Sequence, residues 1–227
     1  MMAKQAKRYR AASEKVQPRE YELDEAIGVL RSFGKTKFDE TVDVAMNLNV
    51  DVKQSEQQLR GSIPLPKGLG RAVRVAVFAQ GKQAEEAKAA GADVVGDDDL
   101  IKRVQEGWME FDVAIAAPDM MPRVGRLGRV LGPKGLMPSP KSGTVAADTG
   151  KAVREFKAGR IEYRTDDGGN IHAPIGKLSF SDADLKANIL AFTDHIRTSR
   201  PSSAKGAFIT SVTISSTMGP GIRLAIH

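Results

Sequence analysis

The chain has 227 residues, 41% hydrophobic and 27% charged, enough apolar content to bury one large core or two modest ones. It holds no cysteine, which excludes disulfides and thiolate metal sites; with only His172, His195 and His227 as imidazoles, neither a metal site nor a bound cofactor is expected. The net charge of +6 favours polyanionic partners, while the lack of a long apolar run and of a secretory signal at the start predicts a cytoplasmic protein with no membrane partner.

The predicted elements begin with an amphipathic helix over 23–33 and a strand in which Val42, Val44, Met46 and Leu48 alternate with other residues. The pattern then changes. Apolar runs at 72–78, 92–95 and 111–116 are separated by helix formers at 82–90 and 100–106, and Asp97, Asp98 and Asp99 are placed to cap the second helix. This β-α-β-α-β order predicts a parallel sheet covered on both faces, a Rossmann-like three-layer α/β domain. Beyond it, 161–164 and 170–175 flank Asp167-Gly168-Gly169, a hairpin signal that predicts antiparallel pairing. A helix over 182–199 places Leu185, Ile189, Phe192 and Ile196 on one face, and strands over 208–215 and 222–226 surround Gly219-Pro220-Gly221.

Each flank alone is small for a stable core, so the economical arrangement packs 1–67 with 161–227 as one discontinuous α+β domain and inserts 68–160 as the α/β domain. Gly68, Gly70 and Gly159 stand at the two crossings and are the expected hinge.

Residues 125–145 read GRLGRVLGPKGLMPSPKSGTV. From 120 to 143 the chain holds Arg123, Arg126, Arg129, Lys134 and Lys141 and no acidic residue. Gly125, Gly128 and Gly132 permit close backbone approach along a helix, and 133–140 is expected as a rigid extended loop presenting Lys134 and Lys141 to phosphates. An ordinary basic connector would share this composition. Phosphate-binding fingerprints fail: Pro140 precedes Lys141-Ser142, Val29 stands where Gly34-Lys35-Thr36 needs a glycine, and Val73 stands where Gly68-Leu69-Gly70 needs its third. No G-x-S-x-G elbow occurs, and turn chemistry accounts for Asp166-Asp167. A nucleotide- or phosphate-ligand enzyme built on the α/β domain is therefore the weaker alternative. Lys37-Phe38 pairs a cation with a ring that can meet phosphate and stack on a base, although a lone Phe is more often core.

The segments KFDETVDVAMNLNVD (37–51), RGSIPLPKGLGR (60–71), 125–145 and SVTISSTMGPGIRL (211–224), with GRIEYR (159–164) and NIHAPIGKLSF (170–180), resemble the L-one family of large-subunit ribosomal proteins in its bacterial form. The resemblance implies the discontinuous two-domain fold with an inserted Rossmann-like domain, and a structural protein, not an enzyme. It implies binding to large-subunit rRNA in the mobile stalk beside the tRNA exit (E) site, contact with E-site tRNA that assists its deacylated release, and repression of its own-operon mRNA, the chain being a monomer within the ribosome. Its motif positions assign RNA binding to Lys37, Phe38, Thr41, Ser211, Thr217, Met218 and Gly219, with Arg126, Lys134 and Lys141 secondary. Lys37 would neutralise phosphate, Thr41, Ser211 and Thr217 would meet 2′-hydroxyls, and Gly219 would allow close approach. The turn at Asp166-Asp167-Gly168 lacks the basic residue often found there and is left out of the site. Met1 and Met2 are both candidate native starts.

Overall fold

The computed structural model describes residues 6–34 and 36–226, so the alternative starts at Met1 and Met2, together with Lys35 and His227, lie outside the described residues. Two compact units emerge, Met1–Gly70 with Tyr163–His227, and Arg71–Glu162. In chain order the elements are α1 (Lys7–Ser13), α2 (Leu23–Arg31), β1 (Thr41–Leu48), β2 (Arg60–Pro64), β3 (Val75–Phe78), α3 (Gly81–Ala89), β4 (Val94–Gly96), α4 (Asp98–Gln105) and β5 (Val113–Ala116). They continue with α5 (Met121–Val124), α6 (Gly128–Leu131), α7 (Thr149–Lys157), β6 (Arg160–Arg164), β7 (Asn170–Lys177), α8 (Asp182–Thr198), β8 (Ile209–Ser216) and β9 (Ile222–Leu224).

In the first unit β7, β1, β8 and β9 form an antiparallel sheet in that order. Alternation decides which face is covered. Val42, Val44, Met46 and Leu48 of β1 are buried, as are Val212 and Ile214 of β8 and Ile171, Ala173 and Ile175 of β7, while the residues between are partly exposed or exposed. Ala26, Ile27 and Leu30 of α2 and Leu185, Ile189, Phe192 and Ile196 of α8, spaced three and four apart, are buried against them. Ser181 starts α8 by accepting from the Asp184 amide at 3.1 Å.

The expected hairpin after β6 is only partly made. The Asp166 amide donates to Asn170 O at 2.8 Å and Thr165 bridges Ile171, but β6 pairs with β2 and β7 with β1. Thr165 supplies the reason. Its amide donates to Leu59 O at 2.9 Å and its hydroxyl accepts from the Leu59 amide at 3.0 Å, which draws the chain toward β2.

In the second unit β4, β3 and β5 lie parallel in that order. The chain crosses one way from β3 to β4 and back past β3 to β5, and the right-handed sense usual for such parallel crossovers puts α3 and α4 on opposite faces. α3 packs beside α7, and α4 beside α5. Val75, Val77, Phe78, Val104, Ile115, Leu127 and Phe156 are completely buried between these layers. Two expectations are corrected here. Asp97 stands at the N-cap of α4, but its backbone (φ −113°, ψ −120°) lies outside the extended region a capping side chain needs, and no helix amide reaches its carboxylate. The stretch 133–140 is not extended from its start. The amides of Gly135 and Leu136 close back onto Gly132 O and Leu131 O at 3.0 Å each, with Gly135 at φ +72°.

Candidate nucleic-acid interface

The uncovered face of the first unit's sheet is a grid whose rungs follow from the strand register. Asn170, Asn47 and Ser211 form one rung, with Asn47 Nδ2 donating to Asn170 Oδ1 at 2.8 Å. His172, Ala45, Thr213 and Arg223 form the next, Pro174, Asp43 and Ser215 the third, and Lys177, Thr41 and Thr217 the last. Two residues of strand advance about 6.6 Å, so Ser211 and Thr217 lie about 20 Å apart on the same face. Short hydroxyl and amide side chains dominate it, which makes the surface flat and rich in donors and acceptors.

Charge on this face is sparse. Burial raises the Asp43 carboxyl above the ordinary aspartate value, opposed by nearby His172 and Lys177. Lys177 Nζ donates to Thr41 Oγ1 at 2.9 Å and to Asp39 O at 3.3 Å.

At the last rung the chain places two large apolar side chains in solvent. Phe38, two residues ahead of Glu40, is 53% exposed, and Met218, one residue after Thr217, is 52% exposed. Lys37 is exposed beside them. The Met218 amide donates to Glu40 Oε2 at 3.1 Å, so the two loops meet. The structure thus brings Lys37, Phe38, Thr41, Thr217, Met218 and Gly219 together, and puts Ser211 at the far end of the same face.

Gly219 has a second reason to be glycine. A Cβ on Gly219 would come within 2.6 Å of Ser216 Oγ and 2.8 Å of the Phe33 ring, so packing behind the loop already requires glycine there. The turn at Asp166 is self-contained. Asp166 Oδ1 accepts from the amides of Asn170 at 2.7 Å and Gly168 at 2.9 Å, and the Asn170 amide is the chief cause holding this carboxyl below its usual range. His195 accepts or donates one bond with Tyr163 OH at 2.9 Å, and burial lowers its pKa.

In the second unit Arg126, Arg129, Lys134 and Lys141 are exposed and make no ion pair among the described residues, whereas Arg123 is paired with Asp98 at 3.0 Å. Gly125 and Gly128 have helical backbones, and a Cβ on either would meet nothing within 4 Å. Of the expected hinge glycines, Gly68 is tethered. Asn188 Nδ2 donates to Gly68 O at 3.0 Å, while Asn188 Oδ1 accepts from the Lys67 amide at 3.0 Å. Gly70 has φ +72° against the Phe180 ring, and Gly159 has φ +107° where α7 ends.

Comparison with known proteins identifies the family. The family model described as "Ribosomal protein L1p/L10e family" matches residues 30–220. The chain belongs to that family. It is 53% identical over 225 residues to the large ribosomal subunit protein uL1 of Ligilactobacillus salivarius (strain UCC118), covering 99% of this chain and 98% of that one. It is 52% identical over 227 residues to the protein of the same name from Streptococcus sanguinis (strain SK36), covering 100% and 99%. The Streptococcus agalactiae serotype III (strain NEM316) protein is 54% identical over 224 residues, covering 98% of each.

As a bacterial member of this large-subunit L1 family the chain is a structural protein, not an enzyme. Sequence reasoning missed Asp43, Asn47, Asn170, Lys177 and Ser215 as residues of this open sheet face. The period-two alternation of β1 and β8 was the available signal; the cross-strand register that gathers them was not readable from it.

Proposed function

We propose that the chain is a constituent of the large ribosomal subunit that binds a structured region of large-subunit rRNA through the open sheet face and its Phe38 and Met218 end. The observation that carries this reading is the grid of Ser, Thr and Asn side chains ending in two exposed apolar side chains and Lys37. Hydroxyls and amides match the 2′-hydroxyls and base edges of a wide, shallow RNA groove, and an exposed ring can stack on an unpaired base. Family membership adds the setting. The bound rRNA would form the mobile stalk beside the tRNA exit site, where the protein would meet E-site tRNA and assist its release.

Arg126, Lys134 and Lys141 supply a second, phosphate-directed contact in this reading, and rotation near Gly70 and Gly159 supplies the hinge. Repression of translation through the chain's own-operon mRNA would use the same face on a leader that imitates the rRNA. The protein would then be cytoplasmic and ribosome-associated; no helix among the described residues is long and apolar enough to cross a membrane.

The test is binding of the purified protein to a stalk-region rRNA fragment and to a plain duplex of equal length across a salt titration. Preference for the fragment by orders of magnitude at physiological salt is the expected result. Equal, weak binding to both would overturn the reading.

A further inference from the structure

We infer that Arg8 and Glu40 are positioning residues for the RNA interface, holding the Thr217-Met218-Gly219 loop in its binding shape through the amide of Met218. The inference rests on the RNA-binding reading above and adds to it Arg8, outside the motif segments, and Glu40, which lies within 37–51 but carries no role in that reading.

Glu40 is 2% exposed, although it directly precedes the most open end of the sheet. A buried carboxylate is costly unless each oxygen is satisfied. Here they are divided between two distant parts of the chain. Arg8 Nη2, from α1, donates to Oε1 at 2.6 Å, and the Met218 amide donates to Oε2 at 3.1 Å. Glu40 O accepts from the Leu178 amide at 2.9 Å, which fixes the backbone that carries the carboxylate. Burial opposes the charge, but the bonds from Arg8 and the Met218 amide help to outweigh it and keep Glu40 below the ordinary glutamate pKa.

The loop is therefore held from behind at each residue. Thr217 is bonded to Thr41, the Met218 amide to Glu40, and the Gly219 amide donates to Ser216 O at 3.0 Å. The Met218 side chain is left facing solvent. A loop already ordered in the free protein loses less conformational freedom when a ligand meets it. Arg8 has a second effect. Without it, the anionic Glu40 would stand unneutralised beside a surface that must receive a polyanion.

Substitution separates this role from a simple phosphate contact. Glu40→Gln is nearly isosteric but weakens the charge-assisted bonds to Arg8 and Met218; it should lower affinity for the stalk fragment about tenfold and leave the plain duplex unchanged. Arg8→Ala should lower it by a similar factor, Arg8→Lys should recover most of the loss, and the double variant Arg8→Ala with Glu40→Gln should bind no worse than Arg8→Ala alone. In amide-resolved NMR of the free protein, the Met218 resonance should move in Glu40→Gln and Arg8→Ala, and the remaining spectrum should report an intact fold.

Parental discrimination by Glu40→Gln would overturn the inference. So would additive losses with a salt slope reduced by about 0.9 per contact, which would make Arg8 a phosphate ligand. A parent protein that does not discriminate between the two RNAs would instead sink the RNA reading itself, so the two failures are distinct.

Discussion

Thr41 and Thr217, 176 residues apart in the chain, bind each other through backbone and side chain at once. The Thr41 amide donates to Thr217 Oγ1 at 3.0 Å, the Thr217 amide donates to Thr41 O at 3.0 Å, and Thr217 Oγ1 lies 3.3 Å from the same oxygen as a donor. The hydroxyl's only hydrogen is thereby committed inside the protein, so toward a ligand Thr217 can act only as an acceptor. A 2′-hydroxyl donor fits that remaining capacity.

Thr217→Val, which keeps the shape and removes the hydroxyl, should weaken binding to the stalk fragment by about 1 to 3 kcal/mol, and Thr217→Ala by a similar amount. Thr217→Ser should stay close to the parent. Titration calorimetry decides it, and parental affinity in Thr217→Val would remove Thr217 from the interface.

Phe38 tests a different contribution, because a ring 53% exposed contributes little to the free fold. Phe38→Ala should leave the unfolding midpoint nearly unchanged while costing about 1 to 3 kcal/mol in binding, the usual worth of one stacked base. Phe38→Trp should retain the affinity. If the alanine variant lost stability and kept its affinity, the ring would belong to the core.

Lys134 should behave unlike either residue. It is exposed in the second unit with no ion-pair partner among the described residues. Lys134→Ala should lower affinity alike for stalk fragment and plain duplex and reduce the salt slope by about 0.9. Selective loss for the stalk fragment would instead make Lys134 a reader of RNA shape or sequence.

The parallel sheet of the second unit was legible because apolar runs separated by helix formers admit few topologies. The face of β1 was legible for the same kind of reason: Val42, Val44, Met46 and Leu48 alternate without a break. What stayed hidden is long-range. Thr165 draws β6 to Leu59 instead of to β7, and Arg8 reaches Glu40, through bonds that no local pattern announces. α7 was missed because Thr149-Gly150 weakens the start of its helical signal, while the stabilising bond from the Lys151 amide to Asp148 Oδ1 at 2.7 Å is visible only in three dimensions. The motif positions at 37–41 and 217–219 came from family resemblance, and the fold explains why they are neighbours.

Two glycines predict opposite signs. Gly28 lies exposed inside α2, and a Cβ there would meet nothing within 4 Å, so Gly28→Ala should stabilise the protein by about 0.5 to 1 kcal/mol. Gly70 has φ +72° and a Cβ would come within 2.5 Å of the Phe180 ring, so Gly70→Ala should destabilise by about 1 to 3 kcal/mol. Urea midpoints at constant slope measure both. A neutral Gly70→Ala would mean that Phe180 yields freely and that this crossing is softer than its packing implies.

Asp166 gives the pH dependence its sign. Its carboxyl is held below the ordinary aspartate value, chiefly by the Asn170 amide, so the folded chain binds this proton less readily than the unfolded chain. The contribution is therefore complete above the unfolded-state value of about 3.9 and is lost as pH falls through the lower folded-state value. Asp166→Asn should be less stable than the parent at pH 7, and the gap should narrow only below about pH 4. Unfolding curves for both proteins from pH 7 to pH 3 measure it. A gap unchanged across that range would mean that the charge of Asp166 does not set it and that the two side chains differ in the turn by a pH-independent contact.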